Sequence, residues 1–545
     1  MSRFTDHLYR AAASTAGGMV TGEPGSPSRR TWGEVHRLAR RMAGALAPHV
    51  GPGAKVGILA GDPAKVAPLV QAVWMRGAAF TMLQQPTPRT DLGQWLAETE
   101  RVLRMIDAEV LLVGTPFDTA LPEGSLPVSV LRLADLTTGT DIEPVSPAED
   151  DAALLQLSSG STGDPKAVVI SHRSLYANIA AMVDRSALPT TTDEVMISWL
   201  PLSHDMGMIT FLAMPMMTGV ELVSVTPADF LRDPLLWARL ISRYRGTFTG
   251  APNFAYALLG HRLARVTDDT AYDLSSMQVA VNGAEPIDCA AMATFTDQAS
   301  RFGWSATALA PCYGMAEAVV AVSAPDRGRG MRPDHVNRET LENEGRAVSV
   351  TAGPAYARLG KPLAGITVRV VHPVTRATLA HRGVGEFELR GESIASEYLT
   401  TAGSVAAKDT NGWLRTGDLG YLTEDGEPVI CGRQKDVIII SGRNLYPTDI
   451  ERAAEQVEGV RIGNAIALSI AAGTATEGFA VLAESAHHHD EDLSRDLRRA
   501  ISTEIFKAVG IPPRTVVVLA PGALPKTTSG KLRRSHAREI LAGKC

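Results

Sequence analysis

Residues 157–172 read LSSGSTGDPKAVVISH, with glycine-and-hydroxyl turns and one lysine between two apolar runs. This composition suits an anion site. Ser158, Ser159, Gly160, Ser161, Thr162 and Gly163 offer hydroxyls and closely approaching backbone amides, and Lys166 adds a mobile cation that can follow a polyphosphate. The spacing is not that of a Walker loop, in which the second glycine is followed directly by Lys and Ser/Thr. Residues 167–170 after the lysine are apolar and largely β-branched, so the loop is expected to join strand to strand. Its pocket must then come from turn amides and side chains, not from a helix N-terminus. Taken alone, the same stretch also reads as a flexible Ser/Gly linker.

The elements around it follow a βαβ rhythm. Thr31 and Glu34 form a capping box ahead of Val35, Leu38, Met42 and Leu46 at helical spacing, which predicts an amphipathic helix over about residues 32–47. Strand-like runs follow at 55–60 and 78–83, with a helical stretch between them, and others at 194–200, 220–225 and 277–281. A layered α/β architecture with a largely parallel sheet is expected. Residues 323–358 break the rhythm with DRGRGMRPDH and then NRETLENEGR, and read as an excursion or lid. Short strands at 366–371 and 385–390 suggest a small antiparallel subdomain over about 359–432. Beyond it, helices at 449–456 and 493–509 and a strand at 478–484 suffice for a compact α+β domain. The expected division is a large multi-sheet N-terminal domain, 1–432, and a small mobile C-terminal domain, 433–545.

Composition narrows the partners. The 545 residues, 45% hydrophobic, are too many for one core. With 53 basic and 59 acidic residues, a net charge of -6 and no long run of either sign, nucleic acid is not the expected partner. Cys289, Cys312, Cys431 and Cys545 lack CxxC spacing, which suggests neither a disulfide framework nor a zinc site and fits a cytoplasmic location. The N-terminal MSRFTDHLYR has no apolar export core. The most apolar window, 208–225, is interrupted by Pro215, Gly219 and Glu221, so it is expected to be buried rather than to span a membrane. Oligomeric state is not legible. The tract His487–His489 with Asp490 carries ligand-type residues, but adjacent histidines in a polar turn suit a solvated loop better.

Four further motifs stand in order along the chain: YGMAE at 313–317, WLRTGDLGY at 413–421, GRQKD at 432–436 and PKTTSGKLRR at 525–534. Together with the Ser/Gly loop they resemble the adenylate-forming superfamily of acyl-CoA synthetases, peptide-synthetase adenylation domains and luciferases, over nearly the whole chain. WLPLSHDMGMI at 199–209, GAPNFAYALL at 250–259 and NGAEPI at 282–287 resemble one branch, the fatty acyl-AMP ligases and their close relatives. The 323–358 excursion lies near an insertion of that branch, which is thought to restrain the movement that admits coenzyme A.

The resemblance implies a reaction and a role for each matched residue. A carboxylate attacks the α-phosphorus of ATP, and because both reactants are anions the site must neutralise and align them. The Ser/Gly loop with Thr162 and Lys166 would hold the β and γ phosphates, and Glu317 would be the Mg2+ ligand. Asp418 would accept both ribose hydroxyls, with Arg433 as a second ribose or phosphate contact. Tyr313, followed by Gly314 and Met315, would stack on adenine, and Gly283, Ala284 and Glu285 would line the base pocket. Lys531 would bridge the attacking carboxylate and the α-phosphate. Lys435 matches the hinge position, where rotation would withdraw Lys531 and present another face for thioester formation.

Trp199, His204, Met206 and Met208, with Asn253 and Phe254, are candidates for an acyl pocket, joined by Met214, Met216, Met217 and Tyr256. Met and aromatic side chains adapt to irregular apolar ligands, which favours a fatty or polycyclic acid; the same runs also read as ordinary core. The acceptor stays open between a carrier protein's phosphopantetheine and coenzyme A. A luciferase-like oxidoreductase or a non-catalytic relative are the rival readings, although the latter would be expected to lack Lys531, Glu317 or Asp418. No G-x-S-x-G elbow occurs at the Ser-rich loop, which disfavours a serine hydrolase.

Overall fold

The computed structural model describes residues 1–14, 16–86, 90–117, 121, 124, 126–159, 164–188, 194–440, 443–470, 477–524, 526 and 532–543. Gly160, Ser161, Thr162, Gly163 and Lys531 lie outside the described residues, and Ser159 is described in its backbone only.

Two large sheets with helices packed on them form the main body, and a smaller α+β region follows at the C-terminus. The seven-stranded sheet runs, in spatial order, through Leu309–Pro311, Val279–Asn282, Phe248–Ala251, Val195–Ser198, Glu221–Ser224, Gly18–Thr21 and Ser28–Thr31. All its neighbours are parallel except the last pair. The eight-stranded sheet is parallel only in part. Ala79–Met82, Lys55–Leu59, Val110–Val113 and Ser129–Arg132 run parallel to Ala152–Ser159, whereas Pro165–Ser171, Glu397–Thr400 and Gly403–Ala406 add antiparallel strands at the other edge. The expected largely parallel order therefore gives way at the Ser/Gly loop. A loop joining adjacent strands reverses the chain, and its register is fixed by the pairs Ser158 with Lys166 and Ser159 with Pro165.

Local sequence explains the layers. Helix Trp32–Leu46 begins at the capping box of Thr31 and Glu34 and buries Trp32, Val35, Ala39, Met42 and Leu46. Helix Pro63–Met75 has Pro at its start, Asp62 as cap and an almost wholly buried surface, as befits a helix held between sheets. The apolar window near 208 is buried, as expected: a π-helix at Met206–Ala213, the short helix Met214–Thr218 and the strand Glu221–Ser224. Among the described residues no helix is long and apolar enough to cross a membrane.

Strands Ile366–Val371, Gly385–Gly391, Leu414–Leu422 and Pro428–Arg433 form the small antiparallel sheet. The C-terminal region has its own core, in which Ile450, Phe479, Val481, Ile501 and Ile505 join helices Pro447–Glu455 and Glu491–Val509 to a three-stranded sheet. The 323–358 excursion is a packed insert with strands Pro333–His335 and Ala355–Ala357 and helix Arg338–Glu344. Its Val336, Leu341 and Tyr356 share a core with Tyr421, Val429 and Tyr446. Its buried Asp334 accepts from Arg382 Nη1 at 2.6 Å, Arg358 Nη2 at 3.2 Å and the Tyr421 hydroxyl at 2.5 Å.

One buried titratable group ties the N-terminus to this body. His172 is fully buried at the start of helix His172–Arg185, with Nδ1 3.2 Å from Ser2 Oγ and with no partner for Nε2 among the described residues. Burial pushes its pKa from 6.5 down to about 4. Below pH 6.5 the unfolded chain takes up a proton that the folded chain refuses, so this stabilising contribution is complete above 6.5 and is lost as pH falls toward 4. The loss is about 3 kcal/mol. The melting temperature is expected to fall over that window, and His172→Leu to remove part of the fall. Parallel curves for the two proteins would contradict this.

Candidate active site

The sheets and the C-terminal region converge on one cleft of about 1600 Å³. On one side of it are Ser158 and Lys166, from the two strands of the hairpin, and Glu317 from the 3-10 turn Ala316–Ala318. Lys166 Nζ lies 2.9 Å from Glu317 Oε1 and 3.9 Å from the ring centroid of Tyr398, whose hydroxyl donates to the same Oε1 at 3.1 Å. Lys166 and Glu317 are 151 residues apart in sequence, and the cross-strand placement of Pro165–Ser171 beside Glu397–Thr400 brings Tyr398 between them. Ser158 Oγ is buried without a partner among the described residues. An unsatisfied hydroxyl beside a lysine is a setting in which an anion's oxygens recover lost hydrogen bonds.

On the opposite wall, Asp418 is buried on strand Leu414–Leu422 and faces Arg433 across the sheet. Its Oδ2 accepts from the Tyr313 hydroxyl at 2.7 Å and its Oδ1 from Arg433 Nε at 2.9 Å. Burial raises the Asp418 carboxyl above its usual range while Arg433 and Tyr313 act against that rise. Asp418 in turn raises the Arg433 guanidinium. Beneath the turn, buried Glu386 accepts from Gly417 N at 3.2 Å and Arg415 Nη2 at 2.8 Å, and its carboxyl is held low despite its burial. Glu386 thus shapes the Thr-Gly-Asp turn that presents Asp418, a role that spacing alone does not disclose. The glycine of YGMAE is explained by sterics, since a Cβ on Gly314 would collide with the carbonyl oxygen of Val320.

Gly283, Ala284, Glu285, Tyr313, Gly314 and Met315 all line the cleft. Ala284 has a positive φ of 69°, and Glu285 Oε1 accepts from Phe254 N at 2.6 Å, which couples the expected base wall to the expected acyl wall. His204, Met206, Asn253 and Phe254 also line the cleft. Trp199 and Met208 do not: Trp199 stacks on Phe230 with centroids 3.9 Å apart, and Met208 is 1% exposed in the core. Tyr256, Met214, Met216 and Met217 are likewise core residues. A π-helix advances more than four residues per turn, so Met206 and Thr210 share the cleft side of Met206–Ala213 while Met208 points away.

The C-terminal region closes the cleft. Lys435 is exposed at its edge, in the 3-10 turn Gln434–Asp436. Arg452 on helix Pro447–Glu455 donates to the carbonyl oxygen of Ile287 at 2.6 Å. Lys526 pairs with Leu532 and both line the cleft, so the chain on either side of residues 527–531 is anchored there. Lys526 Nζ donates to Gly463 O at 2.9 Å, and desolvation lowers its pKa.

A family model described as AMP-binding enzyme matches residues 9–399. The chain belongs to the AMP-binding enzyme family. A Mycobacterium tuberculosis chain provisionally named as a ligase, Rv1013, is 50% identical over 99% of this chain and 100% of its own length. The long-chain-fatty-acid–AMP ligase FadD26 of Mycobacterium marinum is 32% identical over 93% of this chain and 91% of its own. A solved structure from work on fatty acyl-adenylate ligases of E. coli and L. pneumophila superposes with a TM-score of 0.88 at 29% identity, covering 99% of this chain and 97% of the other. As a family member the chain binds ATP or AMP and is an AMP-forming ligase. Glu386 and Arg452 of the cleft wall, and Tyr398 beside Lys166 and Glu317, are residues that sequence reasoning missed, because their partners lie 31 to 165 residues away in sequence.

Proposed function

We propose that this ligase activates a hydrophobic carboxylic acid with ATP and passes the acyl group to the phosphopantetheine thiol of a carrier protein. In the first step a carboxylate oxygen bonds to the α-phosphorus, the α–β anhydride bond breaks and pyrophosphate leaves. In the second, the thiol sulfur bonds to the acyl carbon, the bond to AMP breaks and the thiol proton passes to water.

The observation that carries this reading is the cleft itself. It sets Lys166 and Glu317 against Asp418 and Arg433, with Met206, Asn253 and Phe254 along the remaining wall. The hairpin loop with Thr162 and Lys166 would hold the outgoing phosphates, Asp418 the ribose hydroxyls, and Tyr313 with Gly283 to Glu285 the base. Glu317 would hold Mg2+, which neutralises phosphate oxygens when bound. The donor set fits: among the described residues both bonds to Glu317 fall on Oε1, and no cluster of three ligand-type residues is present. A single carboxylate plus substrate phosphates is the usual way this ion is held. We assign 1–432 to the adenylating domain and 433–545 to a domain that turns about Lys435 to move Lys531.

The acceptor half rests on the packed insert. Glu342 on its helix meets Arg443 at 2.5 Å, and the hydroxyl of Tyr356 donates to Asp449 at 2.8 Å. Both tie the insert to the C-terminal region and must yield when it turns about Lys435, a restraint in keeping with the resemblance to the branch whose insertion limits the movement that admits coenzyme A, and so support a tethered thiol. Incubation with Mg-ATP, a panel of acids and either coenzyme A or a phosphopantetheinylated carrier protein, followed by mass spectrometry, tests both halves. Acyl adenylates of apolar acids and a carrier thioester are expected. Failure to form any acyl adenylate would overturn the first half, and preferential acyl-CoA formation the second.

A further inference from the structure

Glu317 sits on a strained turn. Val319, directly after the 3-10 turn Ala316–Ala318, has φ 71° and ψ -67°, and Val320 N donates to Ala318 O at 2.9 Å. This is the γ-turn of positive φ, rare for any residue and rarer for a β-branched one. Such a backbone persists only where its surroundings hold it. The chain at 395–398 supplies two of those holds: Ala395 N donates to Glu317 O at 2.8 Å, and the Tyr398 hydroxyl donates to Glu317 Oε1 at 3.1 Å.

Tyr398 reaches Lys166 as well. Strand Glu397–Thr400 pairs antiparallel with Pro165–Ser171, with Tyr398 opposite Val168 and Thr400 opposite Lys166. Tyr398 and Lys166 are therefore diagonal neighbours on one face, a separation that an aromatic ring and a long side chain can bridge. Lys166 Nζ lies 3.9 Å from the ring centroid and 2.9 Å from Glu317 Oε1. One carboxylate oxygen thus accepts from two donors of different freedom, an ammonium on a flexible stem and a phenol fixed by its ring.

We infer that Tyr398 is a positioning residue for adenylation: it keeps the Glu317 carboxylate in place at the cleft while Lys166 exchanges that carboxylate for substrate phosphate. The inference rests on the roles proposed above for Glu317 and Lys166. A polyphosphate carries more charge than one carboxylate, so Lys166 moves when ATP arrives. Loss of that bond alone would leave the Glu317 side chain free to turn. The phenol prevents this, because an ionised carboxylate only accepts and the hydroxyl remains its donor whether or not Lys166 is there. The ring face meanwhile gives the ammonium a favourable place beside its path.

The test is ATP binding by calorimetry, once with Mg2+ and once with EDTA, compared as the ratio of the two affinities. Tyr398→Phe keeps the ring and removes the donor. It is expected to lower the affinity with Mg2+ about tenfold, as loss of one hydrogen bond to a charged group does, and the affinity in EDTA by less than about twofold. In a Glu317→Gln background the same substitution should change the Mg2+ value by less than about twofold, because the charge it acts through is gone. Lys166→Met is expected to weaken ATP in both conditions while the ratio holds or rises, since Glu317 no longer shares its charge with a lysine. That variant reads the proposal even should Tyr398→Phe fail to fold. Equal losses with Mg2+ and EDTA in Tyr398→Phe, an undiminished effect beside Glu317→Gln, or a ratio that falls in Lys166→Met would each overturn the positioning role. A wild-type ratio near one would instead overturn the metal role of Glu317 on which the inference rests.

Discussion

Asp418→Asn is expected to lower kcat/KM for ATP by about 100-fold in ATP–pyrophosphate exchange while the protein stays folded. The wild-type carboxylate is almost inaccessible and already holds two donors, Tyr313 and Arg433, one on each oxygen. An ionised carboxylate has lone pairs left for two ribose hydroxyls, whereas an amide turns half of that edge into a donor that faces the same donors. Two charge-assisted hydrogen bonds weakened by about 1.5 kcal/mol each give the expected factor. Arg433 would also lose its anionic partner, but its side chain is 54% exposed, so water compensates and the fold survives. AMP affinity by calorimetry should fall in parallel with activity. A change under about threefold in both would show that Asp418 serves the Thr-Gly-Asp turn rather than the nucleotide.

How this cleft was legible, and where it was not, follows from range. The strand-to-strand character of the Ser/Gly loop and the capping box at Thr31 are local, and residue type with spacing reveals them. Asp418 and Arg433 lie 15 residues apart on adjoining antiparallel strands, close enough for the small sheet to imply their meeting. Lys166 and Glu317 were joined only by resemblance, since nothing in their spacing brings one to the other. Tyr398 carried no signal, because its role depends on which strand adds to the hairpin edge. The acyl wall was half legible for a related reason. Apolar residues mark a core or a pocket equally well, and the π-helix sets Met206 on one and Met208 in the other.

The C-terminal lysine offers the sharpest separation of the two half-reactions. Lys531→Ala is expected to lower ATP–pyrophosphate exchange by about 1000-fold, because the only cation proposed to span carboxylate and α-phosphate is lost when charge builds on both. Thioester formation from supplied acyl adenylate should stay within about threefold, since that step involves no attack on phosphorus and by this reading proceeds with Lys531 withdrawn. The neighbouring chain supports this division. Leu532 and Arg533 line the cleft, and Arg534 is fixed to Glu451 at 3.0 Å and to Asp436 at 3.5 Å, beside Lys435, the hinge proposed above. On the proposed rotation, a segment anchored so near Lys435 would be carried with it, and one movement would both deliver and remove the lysine. Lys526, which pairs with Leu532 and donates to Gly463, fixes the chain ahead of residue 527. Equal loss of both half-reactions would mean that position 531 maintains the closed cleft itself, and the alternation of faces proposed for 433–545 would then fail with it.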